Sequence, residues 1–356
     1  MKQISICDVT LWGIARSQKN ELPSDSLREI VAAIDGLNVD EILIPDSLLS
    51  DRDTANSICS AISSAEIIIA VTELETLHER IAHSGRTEYS CRMTKAGNNP
   101  VESELDKLKK SGCQRVEWEV DTHSGYSQRL IDDYQGRGID RLILSDHSGR
   151  VLPHQVGPLL KPMMEWNKGP MELGCRFRHD MGVSVANALT AIECGITHLD
   201  CSLLGVGPYA GYTPLEELAT TLRIHSKQYG GDTRIKTEKL IEANQLVSRL
   251  LNLPICPNKP VSGENIFATE AGIHQDGLLK NPDTYLPYRP ELVGAAGIQL
   301  VIGRHSGKRA VAHRLEELGH TANDAQVMEV LQLIKTLPKG EKVTNDKLTE
   351  LFSRTI

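Results

Sequence analysis

Aromatic side chains are scarce, 4% of 356 residues, so the core has to be aliphatic and rings for stacking nucleic-acid bases are not expected. Lysine and arginine number 39 against 47 aspartates and glutamates, a formal net charge of −8, and no basic block is present. General binding to a phosphate backbone, and with it a nucleic-acid partner, is therefore not expected. No C-x-x-C pair occurs among the eight cysteines, Cys7, Cys59, Cys91, Cys113, Cys175, Cys194, Cys201 and Cys256. Several lie in apolar runs, as reduced core thiols do. No apolar run approaches the roughly 20 residues that cross a bilayer. The N-terminus runs straight into a strand-like segment, without the charged and apolar regions of a leader. A cytoplasmic protein without a membrane partner is the expectation.

What is there is enough apolar surface for a core, 40% hydrophobic against 24% charged residues, in a chain long enough for two domains or one large barrel with appendages. Short apolar runs read as strands at 4–11, 41–45, 66–71, 88–93, 115–120, 141–145, 172–178 and 198–204. Amphipathic stretches such as 101–110 and 183–193 lie between them, each followed by a glycine suited to end a helix (Gly112, Gly195). Parallel strands need crossover helices, so the pattern predicts an α/β fold, a (β/α)8 TIM barrel. The run at 66–71 is the ambiguous one; if it were helical the barrel would be one strand short. Residues 237–251, 307–318 and 325–337 have helical spacing, and 254–263 is a loop rich in Pro, Asn and Gly. The expected division is a barrel over 1–228 and a helical C-terminal region over 229–356.

The C-terminal region contains G-E-N-I-F from Gly263 to Phe267, A-T-E-A-G-I-H-Q-D-G-L-L-K-N-P-D-T-Y from Ala268 to Tyr285, and G-R-H-S-G-K from Gly303 to Lys308. This set is similar to the C-terminal region of the homocitrate synthase and 2-isopropylmalate synthase family. In the barrel, S-D-H-S-G from Ser145 to Gly149 resembles the family's A-D-T-V-G, and the run from His179 to Glu217 resembles its N-D-L-G…A-N…G-x-G…A-G…L-E-E stretch. From the length, with no room for a leucine-sensing regulatory domain, the shorter homocitrate synthase type is expected to be the nearer relative. The G-R-H-S-G-K run lacks the spacing of a phosphate-binding loop.

The resemblance implies a divalent metal at the C-terminal mouth of the barrel that binds a 2-oxo acid, and acetyl-CoA as the second substrate. Metal polarisation of the oxo group and positioned acid–base residues would drive the carbon–carbon bond formation. It also implies a dimer, in which the C-terminal linker and lid of one subunit covers the barrel of the other. His274 matches the family's acid–base histidine and Tyr285 its partner, a catalytic pair acting in trans. Asp121 falls near the family's catalytic glutamate.

The metal ligands do not carry over. Where the family reads D-T-T-L-R-D-G-x-Q, this chain reads D-V-T-L-W-G-I-A-R-S-Q from Asp8 to Gln18. Asp8, Thr10 and Leu11 are kept, but Trp12 stands at the arginine and Gly13 at the acidic ligand. Sliding the register to Arg16 places Ser17 where the carboxylate should be. Arg176 and Arg178 occupy the two positions of the H-x-H pair, Leu204 replaces a ligating asparagine, and His147 stands where the family has a substrate-side threonine. A guanidinium has no lone pair and stays charged. No metal and no other cofactor is expected. Strand alternation puts Gly174, Arg176 and Arg178 on one face and Cys175 and Phe177 on the other, so both arginines should enter the barrel mouth.

Candidate binding residues for a substrate or other anion are Arg176, Arg178, Asp8, His147 and Arg16. The two strand arginines could instead pair with Asp146 or Asp200, and Trp12 could plug the space of a metal. Three functions follow from this pattern. One is a non-catalytic subunit that forms a homodimer, or a heterodimer with an intact synthase paralogue, and completes the partner's site with His274 and Tyr285. The second is an active acyltransferase in which two arginines replace the ion. The third is a sensor of small 2-oxo or dicarboxylic acids.

Overall fold

Strands rich in Ile, Leu and Val, separated by amphipathic helices, have one way to bury both faces of a parallel sheet, which is to close it. The computed structural model describes residues 1–17, 22–94, 102–269, 271–281, 284–338, 341 and 343–355. Its strands are β1 (Ser5–Asp8), β2 (Glu41–Pro45), β3 (Glu66–Val71), β4 (Ser90–Met93), β5 (Val116–Asp121), β6 (Arg141–Ser145), β7 (Glu172–Arg176) and β8 (His198–Cys201). Each pairs in parallel with the next, and β8 returns to β1 to close the barrel. The run at 66–71 is thus a strand, and the expected eight-stranded barrel is formed.

The helices of this part are α1 (Thr10–Ser17), α2 (Ser24–Gly36), α3 (Arg52–Ser60), α4 (Leu77–Ser84), α5 (Glu102–Lys110), α6 (Gln128–Gly136), α7 (Pro153–Trp166), α8 (Ser184–Glu193), α9 (Leu215–Tyr229) and α10 (Leu240–Leu250). Val101, expected at the start of α5, and Gln18 of the first motif lie outside the described residues. Among the described residues no helix is long and apolar enough to cross a membrane.

Four expected strands are longer than the real ones: 88–93 starts two residues before β4, and the other three run past the real ends at the mouth. β1 stops at Asp8 because its carboxylate accepts hydrogen bonds from Thr10 N (2.8 Å) and Thr10 Oγ1 (3.0 Å), which turns the chain into α1. β7 stops at Arg176, and Arg178 forms a single antiparallel bridge with Tyr212. β8 stops at Cys201 and passes into a 3-10 turn, Leu203–Gly205.

The chain divides into two compact units, Met1–Pro254 and Ile255–Ile356. The expected boundary at 228/229 falls inside the first unit, because α10 buries Leu240, Ala243 and Val247 and packs against α2. The second unit holds α11 (Gly272–Lys280), α12 (Lys308–Glu317), α13 (Asp324–Thr336) and α14 (Asn345–Ser353), with a short parallel ladder of Ala268–Thr269 on Gln299–Leu300. Its core is Val311, Leu315, Val330, Ile334, Leu351 and their neighbours.

The barrel interior is built in two ways. Toward β1–β3 it is apolar above the first residue of β2, where Glu41 faces Arg115 and Arg141: Cys7, Leu43, Ile68 and Ala70 cluster with Val9, Trp12 and Tyr212. Toward β4–β8 it is charged, with Arg92, Glu117, Glu119, Arg141, Arg176, His198 and Asp200 all buried. Arg92 donates to Glu117 (2.6 Å) and Asp200 (2.5 Å), and Arg141 to Glu41 (2.8 Å) and Glu117 (2.7 Å). Gly174 makes room for this lattice, since a Cβ there would lie 2.6 Å from the His198 ring.

Candidate functional site

The ion-pair lattice rises to the barrel mouth, where a cavity of about 360 Å3 is lined by Trp12, Arg16, Thr72, Thr94, Glu119, Ser145, His147, Arg176, Arg178, Pro208 and Tyr212. Both arginines line it, Arg176 from the end of β7 as alternation requires and Arg178 from the segment beyond the strand. The Arg176 guanidinium donates to Glu119 Oε1 through Nη2 and to Ser145 Oγ at 3.2 Å, and lies 5.3 Å from the Tyr212 ring centroid. Its Nη1 is 3.6 Å from Asp200, and neither Nη1 nor Glu119 Oε2 makes a hydrogen bond.

Arg178 is held differently. It grips Asp180 with two bonds of 2.8 and 2.9 Å, donates to the His147 carbonyl (3.1 Å) and stacks on Tyr209 at 4.4 Å. The sequence offered Asp146 or Asp200 as partners for these arginines. Asp146 instead accepts from Ser148 and from the backbone of Gly149 and Val151, and Asp200 is mainly the partner of Arg92.

His147 sits between two carboxylates, Nε2 2.8 Å from Glu119 and Nδ1 3.3 Å from Asp121. Burial pushes the Glu119 carboxyl up, but Arg176 and the bond from His147 outweigh it and hold it below the ordinary range. Asp200 is likewise buried, yet Arg92, His198 and Arg176 keep it well below the carboxylate range. Asp8 has no cation beside it. Burial raises its carboxyl to about 7 against the two Thr10 bonds, with Asp200 and Glu216 adding to the rise. Arg16 lies 4.9 Å from the Trp12 ring and forms no ion pair among the described residues.

The residues at the four ligand positions do not fit a divalent ion. Gly13 is pressed against the backbone, and a Cβ there would come 2.3 Å from the Val206 carbonyl oxygen, so no acidic side chain fits without moving it. Arg176 and Arg178 are cations already paired, and Leu204 offers no donor atom. The carboxylates that remain are engaged: Asp8 by Thr10, Glu119 by Arg176 and His147. Among the described residues the one cluster of three ligand-type side chains is Cys7, Glu41 and His198, inside the barrel. There Arg141 holds Glu41 and Arg92 Nη2 lies 3.7 Å from Cys7 Sγ, and both cations oppose a metal.

In the second unit, His274 on α11 and Tyr285 pack ring to ring with centroids 4.5 Å apart. Gly277 seats the tyrosine, since a Cβ there would meet its ring at 2.3 Å, and Gln275 ties α11 to the short ladder through Thr269 and Val301 carbonyls, both at 2.9 Å. Both rings are exposed.

Glu119, Tyr212, Thr72 and Thr94 were not among the residues singled out from sequence. For Glu119 the signal was present: V-E-W-E-V-D alternates, so Glu117, Glu119 and Asp121 share the inward face. The two threonines and Tyr212 leave no such trace, because loops bring them to the mouth.

Comparison with known proteins agrees with this architecture. The HMGL-like family profile matches residues 3–247, and the profile described as homocitrate synthase post-HMGL domain-like matches 261–342. A 2-isopropylmalate synthase of Geobacillus sp. is 30% identical over 378 residues, covering 99% of this chain and 73% of that protein. An (R)-citramalate synthase of Methanocaldococcus jannaschii is 37% identical over 218 residues, 61% of this chain and 43% of that one. Among solved structures, the HMG-CoA lyase of Bacillus subtilis has a TM-score of 0.58 at 18% identity, covering 72% of this chain and 96% of its own, a likeness of fold alone. With a closed parallel barrel, both profiles and similarity to a synthase along 99% of this chain, the chain belongs to the homocitrate synthase and 2-isopropylmalate synthase family of acetyl-CoA:2-oxo acid acyltransferases.

Proposed function

We propose that this chain has no divalent-metal centre for acyl transfer in its own barrel and serves, in the cytoplasm, as a non-catalytic or partner-completing subunit of the homocitrate synthase type. The observation that carries the reading is the replacement of the whole donor set: Gly13 against the Val206 carbonyl, Arg176 and Arg178 in ion pairs, and Leu204 without a donor. Lewis-acid polarisation contributes several kcal/mol to such a reaction, and no group at the mouth is arranged to supply the same coordination. His274 and Tyr285 remain together in the second unit, which suits a role in a homodimer or in a heterodimer with an intact paralogue.

The test is thiol release from acetyl-CoA with a panel of 2-oxo acids. The chain alone is expected to be inactive with Zn2+, Mn2+ or Mg2+. Co-expressed with a paralogue that keeps the R-D and H-x-H motifs, it should raise that partner's activity, and His274→Ala should remove the gain. Metal-dependent turnover by the chain alone, or no effect on the paralogue, contradicts the reading.

A second reading draws on two buried atoms that make no hydrogen bond, Arg176 Nη1 and Glu119 Oε2, on residues that line the mouth cavity. A donor and an acceptor at the mouth, with Arg16 and Arg178 also lining the cavity, suit a small 2-oxo or dicarboxylic acid. Thermal stabilisation by dicarboxylates that survives EDTA and falls in Arg178→Ala would favour it; EDTA-resistant turnover would make it catalytic.

A further inference from the structure

His147 stands two residues beyond β6 and lines the mouth cavity, with 35% of its side chain open. Its ring is held between two carboxylates of β5. Nε2 lies 2.8 Å from Glu119 Oε1, and Nδ1 lies 3.3 Å from Asp121 Oδ2. The backbone of the residue is fixed from two sides: His147 N donates to the Ser145 carbonyl at 3.0 Å, and Arg178 donates to the His147 carbonyl at 3.1 Å. A neutral imidazole has one N–H to share between the two carboxylates, whereas an imidazolium has two. Imidazole is also the side chain that ordinarily changes charge between pH 5 and 8.

The surroundings set what that charge does to an anion. Among the described residues the cavity presents three cations, Arg16, Arg176 and Arg178. Against them stand Glu119, which lines it, and Asp121 and Asp180, which contact His147 and Arg178. On the turn of His147 itself, Asp146 is engaged by Ser148, Gly149 and Val151, and beneath Arg176 the carboxylate of Asp200 pairs with Arg92. His123 Nδ1 lies 3.3 Å from the other oxygen of Asp121, with 58% of its side chain exposed and outside the cavity lining. With a neutral His147 the mouth's cations and carboxylates are matched, and an entering dianion meets the negative charge of Glu119. One proton on His147 makes the mouth net positive and places a cation between Glu119 and Asp121.

We propose that a small dicarboxylate binding at the mouth takes up a proton at His147, so that its affinity rises as the pH falls. This rests on the reading of the mouth as a site for small acids. The coupling is reciprocal: the negative charge of the ligand favours the imidazolium, and the imidazolium favours the ligand by the same factor. The proton comes from solvent, which reaches the open part of the ring, and no bond of the ligand is broken.

The experiment is calorimetric titration of the full-length protein with glutarate and with 2-oxoglutarate, in EDTA, between pH 6.5 and 8, where both acids are chiefly dianions. The affinity of each is expected to rise about three- to tenfold from pH 8 to pH 6.5. At pH 7, heats measured in two buffers of different ionisation enthalpy should show net proton uptake. His147→Gln keeps a donor for Glu119 but carries no charge. It should bind with the pH 8 affinity at every pH and without proton uptake, while His123→Gln should keep the full pH dependence. If His147→Gln does not fold, the two-buffer titrations of the unaltered protein and of His123→Gln decide. Binding that is equally strong across this range, a pH dependence that survives His147→Gln, or one that vanishes in His123→Gln overturns the proposal and leaves the acid site standing. No binding of either acid at any pH contradicts the acid-site reading itself, and the proposal with it.

Discussion

The two halves of the barrel interior reach stability by opposite means. Toward β1–β3, Cys7, Leu43, Ile68 and Ala70 gain by leaving water, and Trp12 and Tyr212 extend that apolar cluster to the mouth. Toward β4–β8, each buried cation recovers its desolvation through carboxylates: Arg92 with Glu117 and Asp200, Arg141 with Glu117 and, from the start of β2, Glu41, Arg176 with Glu119. The contrast explains the mouth. Arg176 stands at a ligand position of the family, yet it is also the top of the interior lattice, since Asp200 serves Arg92 and lies 3.6 Å from Arg176. Its replacement of a histidine belongs to an extended arrangement of charge, and restoring one ligand would not restore a metal site.

The comparison breaks first at Arg92. Arg92→Met leaves Glu117 and Asp200 buried without their main cation and should cost about 3–5 kcal/mol in urea unfolding at pH 7. The loss should shrink as the pH falls and the stranded carboxylates take up protons. A loss below about 1 kcal/mol would mean the lattice is not what holds this half together.

Asp8 is next. Its carboxyl is raised from 3.8 to about 7 in the folded chain, so the stability it contributes is complete below its ordinary value and is lost as the pH rises toward 7. At about 1.36 kcal/mol per unit the loss reaches about 4 kcal/mol. Asp8→Asn should remove that slope between pH 4 and 7 and be the more stable form above it. Glu117, held at about 2 by Arg92 and Arg141 against burial, has the opposite sign: its stability is present above the ordinary carboxyl value and is lost as the pH falls toward 2. A stability profile of Asp8→Asn parallel to the unaltered chain's would contradict the assignment.

In the apolar half, Leu43→Ala should cost about 3 kcal/mol through transfer and cavity terms, with no change between pH 4 and 8. A pH-dependent loss there would blur the distinction between the halves. The smallest effect belongs to Arg178, whose pair with Asp180 is closer to solvent: Arg178→Ala should change stability by about 1 kcal/mol or less while removing stabilisation by dicarboxylates in a thermal-shift assay.

Alternation and turn residues carried most of the barrel in the sequence, because a strand buried on both sides reads as a short apolar run whatever surrounds it. The strand ends were not legible. Asp8 stops β1 through two bonds to Thr10, and nothing in an apolar run marks where a carboxylate will turn the chain. The domain boundary was placed too early because the amphipathic spacing of α10 does not say which partner its apolar face meets; it meets α2. At the mouth, the inward direction of Arg176 and Arg178 followed from strand period, but their partners did not. Glu119 and Asp180 depend on side-chain reach across β5 and the loop after β7. Helix α14 was missed because its apolar residues, Leu348, Leu351 and Phe352, span little more than one turn.

The measurement closest to the central claim is a metal titration of the purified chain with Zn2+, Mn2+ and Mg2+, followed by calorimetry and by elemental analysis after gel filtration, on the unaltered protein and on Asp8→Asn. A mouth built from Gly13, Arg176, Arg178 and Leu204 predicts no stoichiometric ion in either protein. One ion per chain, held through gel filtration and lost in Asp8→Asn, would show that the mouth binds metal despite its arginines and would contradict the account.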